Sequence, residues 1–359
     1  MLYSTGLWFR WDRQGEDWLQ STPTGRFEDC HHVTVDFPPR RLWRWPRMGL
    51  WDRWIMRRGV RRWLRQLSGD GPLVAYLFHP RFVEYLPLIN ADYVVYHAYD
   101  LFAMTPDWDS RQAAQEQRLT RLADLVLGSS ESIAEGLQPW RKGKVHVLPN
   151  GADTRAYIEA ADASVREPDD IGRIPHPRIG YVGNLNRKVD FPLLLELSVR
   201  RPDWQFVFVG GRQSFDSETR QALSQCERRS NIHFLGSRPR KELPRYVAAN
   251  DVNMICSRVN EGLWTVASYP LKLHEYLAAG KPVVGADLRV LHDFTNVLRI
   301  AGSVDDWEQA LAEAINDGGV GDRHSRRRVA EDNDWNLRVK CLDALLDEMV
   351  SPDNTKTCL

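Results

Sequence analysis

Long apolar runs are missing from this 359-residue chain. No stretch approaches the ~18 consecutive apolar residues of a membrane-spanning helix. Met1 to Gln20 is interrupted by Arg10, Asp12, Arg13, Glu16 and Asp17, so a secretory signal is not expected either. Cysteine is scarce. The five present (Cys30, Cys226, Cys256, Cys341 and Cys358) are scattered, odd in number and without C-x-x-C spacing. That pattern favours a reducing cytoplasm and provides no zinc site; Cys358, second from the end, does not fit a prenylation box. Several chemical signatures are absent too. Neither LYSTGLWF nor RIGYVGNLNRK supplies the G-x-G-x-x-G turn of a dinucleotide-binding half. There is no P-loop lysine motif, no G-x-S-x-G nucleophile turn and no short-period repeat.

What remains is a water-soluble composition, 43% hydrophobic and 27% charged, in a chain long enough for two domains of roughly 150 to 170 residues. Its net charge of zero hides an asymmetry. Between Arg40 and Gln66 ten arginines face the single acid Asp52, a local charge of +9, and five of the fourteen tryptophans lie in the same stretch. Such concentration marks a surface. Arg53, Arg57, Arg61 and Arg65 recur every four residues, while Trp51, Trp54 and Ile55, then Val60, Trp63, Leu64 and Leu67, form apolar stripes. This spacing predicts a basic amphipathic helix, broken at Gly59. With arginine for anionic headgroups and tryptophan for the headgroup level, Arg53, Trp54, Arg57, Arg61, Trp63 and Arg65 are expected to form a membrane or acceptor face on the cytoplasmic leaflet. Tryptophans packed on the domain beneath solvated arginines are the plainer reading. No nucleic-acid partner is expected, since the rest of the chain is acidic.

Along the chain, Leu2 to Phe9 reads as a strand, Trp11 to Glu28 as a polar connection and Val33 to Phe37 as a second strand. After the basic segment, apolar runs at Leu73 to Phe78, Tyr93 to Tyr96, Leu125 to Leu127 and Val145 to Leu148 alternate with helical composition at Ser110 to Ala123. Thr154 to Arg178, acidic and proline-bearing, reads as a linker. A second alternation follows. Strands are expected at Ile179 to Val182, Gln205 to Val209, Ile232 to Leu235 and Val252 to Ile255, with helices at Pro192 to Arg200, Glu218 to Glu227, Leu243 to Ala249 and Trp307 to Ile315. Alternation of this kind implies parallel, doubly wound sheets. A last helix is expected over Trp335 to Met349. Asp107, Trp108 and Asp109 form an acidic triplet, but beside Pro106 they read as a turn.

Within the second alternation, Tyr269 to Val284 (YPLKLHEYLAAGKPVV) has a proline at its start, a run of helix formers and a Gly-Lys-Pro stop. Lys272 in the first turn suits an anion, and Glu275 can accept hydrogen bonds. An ordinary crossover helix has the same chemistry.

Taken together, RIGYVGNLNRK, FVFVGG, NIHFLGSRPRKELPRYVAANDVNMICS and YPLKLHEYLAAGKPVV, in that order, resemble the donor domain of glycosyltransferase family 4 (group 1) enzymes. VVYHAYDLF, RLADLVLGSSES and VHVLPNGAD are similar to that family's acceptor-domain landmarks. The resemblance implies an α/β chain of GT-B fold, two Rossmann-like doubly wound domains facing a central cleft. The expected division is an acceptor domain over 1–153, a linker over 154–176, a donor domain over 177–330, a returning helix over 331–350 and a tail over 351–359. It further implies transfer of a sugar from a UDP- or GDP-linked donor to a glycan or lipid-linked acceptor, mostly with retention, with no cofactor and no metal.

Carried over by residue, Gly183 and Asn184 match the turn at the diphosphate, although the family's usual arginine is Asn184 here. Arg187 and Lys188 match its basic ligands, and Gly236, Ser237 and Arg238 match the loop that reads the base. Glu275 matches the second glutamate of E-x7-E, but the first falls at Ala267 and is missing. Ser268, Tyr269 and Lys272 are then expected to form a variant site, with Lys272 on the leaving diphosphate. A binding protein of the same fold without turnover is the alternative that this departure leaves. In the first half, His97, Asp100 and His79 stand at strand ends as catalytic candidates that orient the acceptor hydroxyl or take its proton.

Overall fold

A computed structural model of the chain describes residues 22–27, 30–34, 49–51, 53–55, 57–58, 61, 72–105, 108–162, 167–213, 215–259 and 269–351. The strand expected at Leu2 to Phe9, with Trp63, Arg65, Ala267 and Ser268, lies outside them. Chain contacts divide the protein into two units, with boundaries at Leu148/Pro149 and Asp343/Ala344.

The first unit contains an antiparallel ribbon, β1 (Thr22–Phe27) with β2 (Cys30–Thr34), where the sequence suggests a connection followed by a later strand. Its parallel sheet has the order β3 (Val74–Leu77), β4 (Tyr93–Ala98), β5 (Leu125–Gly128), β6 (His146–Val147). The short helix α1 (Leu86–Ile89) lies between β3 and β4, α2 (Ser110–Leu122) between β4 and β5, and α3 (Glu131–Leu137) between β5 and β6. Asp109 starts α2 by a capping box with Gln112, so this carboxylate of the acidic triplet satisfies a helix terminus.

The second unit opens with α4 (Thr154–Asp162), inside the stretch that reads as a linker. Its first turn is fixed from afar. Asp334 accepts from the Thr154 hydroxyl at 2.7 Å and from its backbone N–H at 3.2 Å. Tyr157 is buried, and no short-range periodicity announces either partner. There follow β7 (Arg178–Val182), α5 (Phe191–Arg200), β8 (Gln205–Val209), α6 (Ser217–Cys226), β9 (Ile232–Gly236), α7 (Leu243–Ala249) and β10 (Val252–Ile255). The chain continues through α8 (Lys272–Ala278), β11 (Val283–Ala286), β12 (Arg299–Ala301), α9 (Val304–Asp317), α10 (Arg323–Glu331) and α11 (Trp335–Val350). All six strands pair in parallel in the order β12-β11-β10-β7-β8-β9. The order reverses between β7 and β10, and ligands of such sheets bind beyond the carboxyl ends at that reversal.

Continuous apolar strands explain this sheet: β7, β10 and β11 are buried at every residue, as helices on both faces require. Phe206, Phe208, Leu194, Leu197, Leu273 and Leu277 share one core. The arginine-rich stretch 323–328, which has the look of a solvated charge run, forms α10. Asp322 and Ser325 supply its capping box, and the buried Arg326 guanidinium donates to the carbonyls of Gly280, Val320 and Gly321 at 3.2, 2.8 and 2.8 Å and also to Gly318. Gly210 has no room for a side chain, since a Cβ there would stand 1.9 Å from the Gly183 carbonyl oxygen. Gly210→Ala is therefore expected to lower the stability of this unit by about 3 kcal/mol or more, read as the urea midpoint; a variant as stable as the parent would contradict that close approach.

Candidate functional site

Three strand ends converge beyond the sheet of the second unit. The ladder continues past β7, β8 and β9: Gly183 N–H donates to Val209 O, Leu185 N–H to Gly211 O and Gly210 N–H to Gly236 O, each at 2.9 Å. These bonds bring the turn at Gly183 and Asn184, the Gly210-Gly211 pair and the loop at Gly236 and Ser237 side by side. A Cβ on Gly211 would lie 3.9 Å from both Asn184 Oδ1 and Ser237 Oγ. Asn184, Gly236 and Ser237 are exposed.

On the side of β7 facing β10 the pairing stops at Gly180. The Tyr276 hydroxyl takes over there, accepting from Val182 N–H at 2.8 Å and donating to Val182 O at 3.1 Å. This bond registers α8 against the end of β7 and sets Lys272 beneath the Gly183 turn. A Cβ on Gly183 would come within 3.0 Å of Lys272 Nζ, and the ammonium lies 3.7 Å from the centre of the Tyr181 ring. Burial pulls the Lys272 pKa down to about 8, with Cys256 and Glu275 pulling the other way. An ammonium at neutral pH in such surroundings gains strongly from an anion.

One turn further, Glu275 is half-buried. Burial raises its pKa, against a hydrogen bond from Tyr157 and the charges of Lys272 and Arg240. Tyr157 reaches this carboxylate from α4, and neither it nor Tyr276 carries any signal in the local sequence. Tyr269 goes elsewhere: it is buried, with its hydroxyl 2.6 Å from His274 Nε2. Burial first, then the charge of Arg338, lowers the His274 pKa to about 3, so this pair belongs to the core behind the helix.

The remaining basic candidates are held by the fold. Arg238 donates to Asp170 at 2.6 Å, to the Tyr246 hydroxyl at 2.9 Å and to its neighbour's carbonyl, Ser237 O, at 3.0 Å. It shapes the loop at Gly236 and Ser237. Arg187 and Lys188 are half-buried in the loop after β7, where Lys188 N–H donates to Asn186 Oδ1 at 2.9 Å and Lys188 O accepts from Arg258 N–H at 2.8 Å.

The first-half candidates gather at the carboxyl ends of β3 and β4, within the first unit. His97 Nδ1 lies 2.7 Å from the Tyr76 hydroxyl. Burial lowers its pKa to about 4, opposed by the Leu148 carbonyl, so the ring is neutral at physiological pH. His79 Nδ1 accepts from Arg81 N–H at 3.1 Å at the start of a short 3-10 turn. Burial and then Arg81 lower its pKa to about 4. Its ring meets Phe102 at 4.7 Å, and Phe102 stacks on Trp108. Asp100, half-buried, begins the loop that carries Phe102, whose N–H donates to Asp100 O at 3.0 Å.

Comparison with known proteins bears on the fold and the class of chemistry. Residues 176–317 match the family model described as glycosyl transferases group 1. The putative teichuronic acid biosynthesis glycosyltransferase TuaH of Bacillus subtilis (strain 168) is 26% identical over 293 residues, 75% of this chain and 70% of that protein. Among solved structures, HepE of Anabaena in complex with UDP and glucose has a TM-score of 0.62 at 17% identity, over 83% of both chains. The α,α-trehalose 6-phosphate synthase of Burkholderia multivorans has a TM-score of 0.66 at 14% identity, over 96% of this chain and 90% of that one. The stretch 176–317 is thus a glycosyl transferases group 1 domain, and the chain is a glycosyltransferase of the GT-B fold that resembles the enzymes of that group.

Proposed function

We propose that the protein transfers a sugar from a UDP- or GDP-linked donor to a glycan or lipid-linked acceptor, at the cytoplasmic face of the membrane, in the assembly of cell-surface polysaccharide or glycolipid. The observation that carries this reading is the Lys272 ammonium enclosed beneath the Gly183 turn, with Glu275 one helical turn away. A relative named for teichuronic acid biosynthesis and a structural neighbour solved with UDP and glucose support it.

In this reading the diphosphate lies on the backbone of Gly183 and Asn184, and Lys272 neutralises the charge that develops on it as the glycosidic bond breaks. Arg187 and Lys188 flank the diphosphate. Glu275, steadied by Tyr157, accepts from the ribose hydroxyls, and the backbone at Gly236 and Ser237 reads the base. Lys272 supplies the positive charge that a metal supplies elsewhere, so transfer runs without one. The anomeric configuration is retained, with the acceptor proton passing to the leaving diphosphate oxygen. Neutral His97 and the carboxylate of Asp100 orient the acceptor hydroxyl, with His79 beside them.

Lys272→Met separates function from stability. Because the folded pKa of about 8 lies below the ordinary lysine value of 10.5, the buried ammonium costs stability in full below pH 8. The folded state releases its proton first, so the cost shrinks as pH rises from 8 to 10.5. The variant should therefore melt higher than the parent at pH 7, an advantage that fades toward pH 10.5, while calorimetric UDP and GDP affinity falls by about 100-fold or more. The parent's own nucleotide affinity should decline as pH rises above 8. Unchanged affinity in Lys272→Met would place the diphosphate elsewhere.

Tyr157→Phe removes one hydrogen bond from Glu275. Nucleoside diphosphate binding is expected to weaken about five- to tenfold, with inorganic pyrophosphate binding unaltered, because the tyrosine acts on the ribose side. Equal loss for both ligands would put Tyr157 at the phosphates. Turnover is checked by nucleotide release from a panel of nucleotide-sugars with candidate acceptors; tight donor binding without release would refute catalysis.

A further inference from the structure

The helical residues between Leu50 and Arg61 are turned the opposite way from what a basic amphipathic segment suggests. Arg53, Arg57 and Arg61 form one row, half-buried. Arg57 donates to Asn90 Oδ1 at 3.4 Å, and Arg61 donates to the same oxygen. Asn90 closes α1 in the left-handed region, at φ 52° and ψ 52°, a conformation that asparagine tolerates better than most residues. The arginines thus tie the helix to its own unit. The adjoining face turns outward: Leu50, Trp51, Trp54 and Ile55 are 85%, 77%, 53% and 59% exposed. Trp51 and Trp54 meet edge to face with centroids 6.0 Å apart, and the exposed Arg58 guanidinium stands 5.2 Å from the Trp54 ring. Two tryptophans, a leucine and an isoleucine contiguous on one helix face form an apolar patch that calls for cover.

We propose that this row inserts into the headgroup region of an anionic lipid bilayer, with Arg58 at the phosphate level and Arg57 and Arg61 as the internal anchor. Charge selects the occupant. A second copy of the chain would set one +9 segment against another, whereas an anionic bilayer complements that charge and receives tryptophan at its interface. Nucleic acid offers phosphates but no apolar layer to receive Leu50, Trp51, Trp54 and Ile55. Docking of this kind deepens the proposed use of a lipid-linked acceptor and rests on that reading for its purpose, but it can be measured without donor or acceptor.

The test is flotation of the full-length protein with vesicles of phosphatidylcholine alone and of phosphatidylcholine with phosphatidylglycerol, at low and high salt. The protein should float with the anionic vesicles and keep part of its binding at high salt, because insertion is apolar. Trp51→Ser with Trp54→Ser should bind at least about tenfold more weakly. Arg58→Gln should lose about fivefold at low salt only. The double tryptophan variant should keep the parent's circular dichroism spectrum and melting temperature, showing that it is folded. Absence of flotation, or flotation abolished by salt and untouched by the double substitution, would overturn the proposal. So would a dimer in sedimentation velocity that the double substitution dissolves, since the row would then cover a second copy. A protein that floats as described but binds no nucleotide would refute the donor site and leave the docking face standing.

Discussion

A lysine ammonium enclosed at the end of a parallel sheet is the constraint around which the second unit is built. Charge buried in low dielectric is costly, and the fall of the Lys272 pKa to about 8 records that cost. The surroundings moderate it without removing it. The Tyr181 face lies 3.7 Å away, Glu275 stands one turn on, and Gly183 leaves the space that a Cβ would fill. The ammonium can occupy that position only because the Tyr276 hydroxyl bonds both polar groups of Val182 and fixes α8 in register. Removing that hydroxyl would orphan two buried backbone groups as well as shift the lysine.

The same unit uses several arginines to bind the protein to itself. Arg326 and Arg238 are each occupied by several internal acceptors, and the buried Arg178 donates to the carbonyls of Ile174 and Ala249 and to Glu167. A fork of fixed donors suits this bracing of loops. A lysine has no such fork and acts as a point charge. Tight placement of Gly210 on the Gly183 carbonyl completes the floor, since any side chain there would push the two turns apart.

The fold was legible wherever burial dictates local pattern. Gln205 to Val209 and Leu243 to Ala249 read from apolar runs and composition with their observed limits, because strands covered on both faces must be apolar throughout. What escaped was fixed over long distances or by polar bonds. Asp334 caps α4 from 180 residues away, which no local window contains. The arginine run of α10 hides a buried guanidinium, and β12 is three residues long. In the candidate site, the glycine turns came from the family resemblance, and Lys272 was legible as a first-turn cation. The two tyrosines were not, because a hydroxyl that reaches across the fold looks locally like any buried aromatic.

The helix near Asn90 shows a deeper limit of periodicity. A repeat of four places arginines on one row and large apolar residues on another, and the hydrophobic pattern favours turning the second row inward. One asparagine oxygen reverses this, because Arg57 and Arg61 find an acceptor on the protein, while Trp51 and Trp54 meet each other edge to face. Hydrogen-bonded arginines facing in leave the apolar row facing out. Amphipathicity establishes that a helix has two faces; the polar partner on the neighbouring element decides which face the rest of the cell meets.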